Sequence, residues 1–213
     1  MPKCPVCKTE CGDAVVCPEC GFEELHPVFL STEEGNAWVK NVVWPWREQY
    51  WKTLSQFEIK HDGRRWRLIE CNALESRAEN DTINIPYGVE VIGRNAFGSY
   101  RCTIDKAIHI PSTVVEIEDE AFCRACRFDI IWSLDIPQSV IRIGKDAFKN
   151  RIILTLIIPN SVKYIGSNAF VADEVFCEAE SAPDGWASDA WNSESHVYWG
   201  GTWHYEHGIP HPN

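Results

Sequence analysis

Four cysteines near the N-terminus have the spacing of a metal site. Cys4-Pro5-Val6-Cys7 and Cys17-Pro18-Glu19-Cys20 are two C-x-x-C pairs with nine residues between them. Each pair bends the chain so that two thiolates face one ion. Two such turns supply the four sulfurs that tetrahedral zinc prefers. The spacing predicts one structural Zn2+ held by Cys4, Cys7, Cys17 and Cys20. So short a segment buries no useful apolar core, so the ion takes that role and its binding free energy is folding free energy. A disulfide pair or a redox dithiol is the alternative use of these thiols. Cys11 is surplus and is read as a bystander.

Three other groups carry reactive side chains. Cys123-Arg124-Ala125-Cys126 is a further C-x-x-C, but no second pair lies at the same spacing, so it is read as structural burial. His204, His207 and His211 lie in a tail rich in Gly and Pro, which is read as solvated or loosely packed. His109, Asp135 and Ser133 are the types of a nucleophilic triad. Such a triad also needs a positioned nucleophile, an oxyanion hole and a water-excluded pocket. The elements that carry these three residues argue against it.

Those elements are repeats. The first copy is Ile85-Pro86, Val89, Ile92-Gly93 and Ala96-Phe97; the second is Ile110-Pro111, Val114, Ile117 and Ala121-Phe122. The third is Ile136-Pro137, Val140, Ile143-Gly144 and Ala147-Phe148; the fourth is Ile158-Pro159, Val162, Ile165-Gly166 and Ala169-Phe170. Their prolines stand 25, 26 and 22 residues apart. Self-similarity at this period predicts a solenoid, whose short unit buries its apolar face only by stacking on the next. Ile83, Ile108, Leu134 and Leu156 lie two residues before each pre-proline isoleucine, the alternation of a half-buried strand. Proline has no N–H for a ladder, so it should end that strand. Gly93, Gly144 and Gly166 suit a tight corner, although Glu118 holds the same place in the second copy.

The core V-x-x-I-G-x-x-A-F resembles the BspA-type leucine-rich repeats, over about four copies. That resemblance implies a solenoid with a parallel sheet on its concave side, and a role in binding rather than catalysis. The N-terminal cysteines, with the C-P-x-C-G form of the second pair, resemble a small zinc ribbon. The resulting fold class is a β-rich leucine-rich-repeat solenoid with an N-terminal zinc ribbon and a helical cap.

The flanks fit that plan. Ser31 and Glu34 form a capping box ahead of Trp38, Val42 and Val43, and Pro45 starts a second helical segment with Trp46, Tyr50, Trp51 and Leu54. Phe57 to Glu70 reads as a hairpin around Asp62-Gly63, leading into the first solenoid strand. After Phe170 the pattern breaks, and Val175-Phe176-Cys177, Trp186, Trp191 and Val197-Tyr198-Trp199 read as a closing segment. The expected division is zinc ribbon 1–24, linker 25–31, helical and hairpin cap 32–78, repeats 79–172, C-terminal cap 173–200 and tail 201–213.

The chain has 213 residues, 45% of them hydrophobic, and a net charge of -11. The last basic residue is Lys163, and eight acids follow Phe170. A nucleic-acid binder needs a basic face. Only Lys60 and Arg64-Arg65-Trp66-Arg67 offer one, so a nucleic-acid adaptor is the secondary reading. No charged segment with an apolar run follows Met1, and no stretch is long and apolar enough to span a membrane. A cytoplasmic protein with reduced thiols is expected.

The expected function is protein binding without catalysis, on the exposed side of the repeat strands. Two rows stand there: Asn84, His109, Asp135 and Ile157, and beside them Thr82, Ala107, Ser133 and Thr155. The candidate partner contacts are Thr82, Asn84, His109, Ser133, Asp135, Thr155 and Ile157. The oligomeric state is not legible.

Overall fold

The structure is a computed structural model that describes residues 57–71, 82–98, 107–123 and 129–213. Cys4, Cys7, Cys17 and Cys20, expected to hold zinc, and the two helical segments expected in the cap lie outside the described residues. Apart from Pro86–Gly88, the described residues belong to one compact unit, Gln56–Ile85 and Val89–Asn213. Among the described residues there is no helix.

Each repeat contributes one strand to each of two ladders. The long-strand sheet contains β3 (Thr82–Asn84), β5 (Ala107–His109), β7 (Asp129–Asp135), β9 (Arg151–Ile158), β11 (Val171–Cys177) and β12 (His196–Tyr198), neighbours in that order and parallel. The short-strand sheet starts with the antiparallel hairpin β1 (Phe57–His61) and β2 (Trp66–Cys71). It continues in parallel through β4 (Val91–Ile92), β6 (Glu116–Ile117), β8 (Arg142–Ile143) and β10 (Tyr164–Ile165). Apolar columns run along the array. Leu68, Ile92, Ile117, Ile143 and Ile165 pair in register and are fully buried. Leu134, Leu156 and Val175 form the matching column in the long strands.

The repeat spacing has a hydrogen-bond explanation. In P-x-x-V the proline carbonyl accepts the valine N–H: Pro111 from Val114 and Pro137 from Val140, both at 3.0 Å. Proline ends the long strand and opens this turn. In A-F the phenylalanine N–H crosses to the alanine carbonyl of the next rung, from Phe97 to Ala121, Phe122 to Ala147 and Phe148 to Ala169. The phenylalanine rings then stack: centroids lie 4.4 Å apart for Phe97–Phe122 and Phe122–Phe148, and 5.1 Å for Phe148–Phe170. Alanine at the preceding position is completely buried in all four copies.

The corner differs from the sequence expectation in where its special backbone falls. Gly93, Gly144 and Gly166 do not have positive φ; Asn95, Glu120, Asp146 and Asn168, just before A-F, do (52–58°). The glycines answer to space instead. A Cβ on Gly93 would sit 2.6 Å from the Leu68 carbonyl oxygen, and one on Gly166 would sit 2.5 Å from the Lys145 nitrogen. Asn and Asp tolerate the left-handed region because their short polar side chains bond locally. Glu120 has no such excuse.

The array runs further at both ends than the four copies read from sequence. At the start, β2 forms a rung of the short-strand ladder, and the Cys71 N–H reaches the Ala96 carbonyl at 2.6 Å, as the phenylalanines do. At the end, Trp186-Ala-Ser-Asp-Ala190-Trp191 takes the place of I-G-x-x-A-F. The Phe170 N–H donates to the Ala190 carbonyl at 2.9 Å, and Trp186 bridges to Ile165. The Trp186 indole N–H donates to the Val162 carbonyl, and its ring packs against Trp191 and Trp199.

The tail is an ordered hairpin rather than a loose end. Strands β13 (Trp203–Glu206) and β14 (Ile209–Pro212) are antiparallel, with His207-Gly208 as a two-residue turn. Both turn residues have positive φ, 53° and 83°, as a type I′ turn requires. Trp203 anchors it: its ring meets Phe176 edge-on at 5.4 Å and its indole N–H donates to the Cys177 carbonyl at 2.9 Å.

Candidate partner-binding face

The register of the long strands sets out both rows expected from the sequence. Thr82, Ala107, Ser133, Thr155 and Glu174 pair across successive strands. Asn84 pairs with His109, and Asp135 pairs with Ile157, which pairs with Phe176. Asn84, His109, Ser133 and Asp135 are exposed and Thr155 is half-buried. Among the described residues, no hydrogen bond or ion pair joins His109, Ser133 and Asp135 to one another.

Ile157 is the exception. It is only 8% exposed, although its backbone lies in the outward row. Phe176 beside it in register is fully buried, stacked on Tyr198 at 4.9 Å and met by Trp203. The C-terminal hairpin covers this end of the face. Burial pushes the Tyr205 hydroxyl pKa up, helped by the charges of Asp135 and Glu178, which places this tyrosine beside the same row.

The other end of the face is open and apolar. Strands β7, β9 and β11 extend toward their N-termini past a shared kink, where the pairing skips Trp132, Leu154 and Asp173. Before the kink the inward residues are Ile131, Ile153 and Ala172; after it they are Leu134, Leu156 and Val175. Two consecutive residues per strand therefore point outward. The kink row and its neighbour expose Trp132 (63%), Ile130 (45%) and Leu154 (38%) together. Around them stand Asp135 and Asp173, both exposed, and half-buried Glu174. The one basic side chain on these three strands, Arg151, is fully buried. Its Nε donates to the Phe122 carbonyl at 3.0 Å, and a terminal guanidinium nitrogen to the Phe97 carbonyl at 3.3 Å.

The opposite sheet carries the basic segment. Its outward row is Arg67, Glu116, Arg142 and Tyr164, with Val91 at the same register but fully buried. Arg65 pairs with Glu116 at 3.1 Å, and Arg67 pairs with Glu118 and with Asp62. Arg142 pairs with Glu116 at 3.3 Å and lies 4.2 Å over the Tyr164 ring. A recess of about 200 Å³ is lined by Arg94, Glu116, Glu118, Asp119 and Arg142. Arg65, Arg67, Arg94 and Arg142 are each paired with carboxylates of the same surface, which offsets most of the basic charge of this face. The backbone turn at Arg64 and Arg65 is held by Asp62, whose carboxylate lies far below the usual range because the Arg65 and Arg64 N–H groups and the Arg67 guanidinium donate to it.

A family model described as BspA type leucine rich repeat region, with six copies, matches residues 67–175, half of the chain. The chain belongs to the BspA-type leucine-rich repeat family. No curated protein and no solved structure matches it. The match begins inside β2 and ends inside β11, so this BspA-type region takes in the rung formed by the first hairpin and the kinked strands. Leucine-rich repeats generally mediate protein–protein interaction, and a protein-binding role fits this BspA-type array. Among the described residues, no helix is long and apolar enough to cross a membrane, and no group of three or more His, Cys, Asp or Glu side chains is placed to hold a metal.

Proposed function

We propose that this protein is a non-enzymatic recognition or adaptor module that binds a protein partner on the outward face of its long-strand sheet. The observation that carries the reading is the exposed cluster of Trp132, Ile130 and Leu154 on two adjacent parallel strands, β7 and β9. Exposed apolar side chains scattered singly need no explanation, but a contiguous set marks an interaction site. Tryptophan is also the residue type most enriched among interface residues that dominate affinity.

The surrounding charge selects the partner. Asp135, Asp173 and Glu174 ring the cluster, and the net charge of the chain is -11. A second copy would bring the same acids to the contact and be repelled. A segment of another protein that carries apolar anchors flanked by Lys or Arg would be drawn in. The C-terminal hairpin already packs Trp203 on the adjoining part of this face, and the partner would lie beside it. Thr82, Asn84, His109, Ser133, Asp135 and Thr155 would supply its polar rim.

The N-terminal residues 1–24 would form a zinc ribbon, with one structural Zn2+ on Cys4, Cys7, Cys17 and Cys20, joined through 25–31 to the cap at 32–78. Repeats at 79–172, a closing segment at 173–200 and a tail at 201–213 complete the division. A reducing, cytoplasmic setting suits the unbridged thiols of Cys123 and Cys177.

A peptide library panned on the whole chain tests the binding reading. Recovered peptides should carry Lys or Arg beside aromatic or aliphatic anchors, and lose binding to Trp132→Asp while keeping it to Arg94→Glu on the opposite sheet. Recovery of acidic peptides, or equal binding to Trp132→Asp, would overturn it.

A further inference from the structure

We propose that His204 and His211 form a two-imidazole site for a divalent transition ion of the zinc or nickel type, on the outer side of the C-terminal hairpin. The two residues are direct partners across the antiparallel pair β13–β14. Side chains directly opposite one another project to the same side, and here the ring centroids lie 6.4 Å apart, tilted by 38°. Trp203 and Tyr205 alternate with His204 and take the other side, where Trp203 meets Phe176. The hairpin is thus held to the solenoid by one side and presents its histidines on the other.

A second observation prepares one ring as a ligand. His204 Nδ1 lies 2.7 Å from the Asn213 side-chain oxygen. The orientation of that amide is set independently, because its nitrogen donates to the Gly201 carbonyl at 2.8 Å, and the Asn213 backbone N–H donates to Thr202 at 2.9 Å. The amide oxygen therefore faces His204, so Nδ1 carries the proton and Nε2 keeps its lone pair outward. A metal-bound histidine characteristically donates its other ring N–H to such a partner, which fixes tautomer and ring direction.

The rest of the coordination follows from the same strand geometry. Glu206 lies two residues from His204, hence on the same side, and can add a carboxylate. No lysine or arginine follows Lys163. No third ligand is already in place, so water completes the shell and the site is an open two-point chelate. Metal–nitrogen bonds of about 2.0–2.1 Å require the two rings to turn toward each other by side-chain rotation, with the backbone unchanged. Imidazole pairs suit zinc, nickel and copper rather than magnesium or calcium. His207 occupies the turn at positive φ and is outside this pair.

The test uses the full chain loaded with one equivalent of Zn2+, so that thiolates elsewhere are occupied, and titrated with Ni2+. Calorimetry reads affinity and stoichiometry; paramagnetic broadening of imidazole resonances reads position. One additional site is expected, with broadening at His204 and His211. His204→Ala or His211→Ala should each weaken it at least tenfold, Asn213→Ala several-fold, and His207→Ala less than twofold. The Trp203 indole N–H resonance reports whether the hairpin stays docked; where alanine undocks it, His211→Gln carries the same expectation. Equal affinity in wild type and the His204/His211 double variant would overturn the proposal. So would equal weakening by His207→Ala, which marks chelation by the tail without regard to register.

Discussion

Arg151→Met should destabilise the solenoid substantially, although it replaces a buried charge with an apolar side chain of similar length. Removing a buried charge relieves its desolvation, and such replacements are often neutral when the partners are also made apolar. Here two of the partners are backbone carbonyls, which no substitution removes. Arg151 is fully buried and donates to Phe122 and Phe97, spanning the ends of two rungs. Each carbonyl stranded without a donor costs about 1–3 kcal/mol. The longer contact, 3.3 Å to Phe97, belongs at the low end, so the sum is about 3 kcal/mol. With a urea slope of about 2–3 kcal/mol/M, the midpoint should fall by about 1–1.5 M. Urea unfolding followed by tryptophan fluorescence measures it, with exposed Arg94→Met as a control that should leave the midpoint in place. An Arg151→Met midpoint equal to wild type would show that the guanidinium does not hold the rungs together.

Other outcomes follow from particular contacts. Phe122→Ala, in the middle of the ring stack with both neighbours at 4.4 Å, should cost about 3–5 kcal/mol in the same assay. Glu120→Asn should stabilise by about 0.5–1 kcal/mol, because Asn suits the left-handed backbone that Glu120 holds at φ 58°. Asp62 has its pKa lowered in the folded state, so its contribution is present above about pH 4 and lost as pH falls below it. Amide protection in β1–β2, corrected for the intrinsic pH dependence of exchange, should fall below about pH 4, and Asp62→Asn should flatten that dependence. Burial pushes the Cys177 thiol up to about 12, against 9.0 for an exposed thiol. The unfolded chain then loses its proton first, so stability should fall as pH rises from about 9 toward 12, and Cys177→Ala should remove that loss. At neutral pH, labelling of Cys177 should track unfolding.

The repeat was legible because each of its positions has one dominant physical cause. Proline ends a strand, P-x-x-V closes a turn, and A-F sets both an inter-rung bond and a ring stack. Strand alternation counted back from proline correctly gave Ser133 and Thr155 as outward residues. It fails one step further, because β7, β9 and β11 kink together and turn two successive residues outward. Simple alternation would bury Trp132 and Leu154, which is why the apolar cluster was missed. The runs Ile130-Ile131-Trp132 and Ile152-Ile153-Leu154 were the available signal, since three successive apolar residues cannot all face one core.

The ends were harder to read for a related reason. Trp186-Ala187 and Trp191 replace Ile-Gly and Phe, keeping the spacing while changing every marker residue but Ala190. In the tail, Trp203-His204-Tyr205-Glu206 alternates aromatic with polar residues and His207-Gly208 supplies a two-residue turn, which together are the hairpin signal. Ile157 was expected to be exposed from its row alone; the hairpin that covers that row is a tertiary contact with no local signature. Glu118 at the corner of the second copy shows from sequence that the corner does not require a positive φ; the close approach of the preceding rung, which the glycines answer to, has no local signature.

The most direct test of the binding face is the affinity of a selected basic, apolar-anchored peptide for wild type and for Trp132→Asp, measured by calorimetry on the whole chain. Loss of a central tryptophan anchor costs about 2 kcal/mol or more, so affinity should fall at least thirtyfold while the urea midpoint holds. An affinity within threefold of wild type would contradict the account and place recognition elsewhere on the chain.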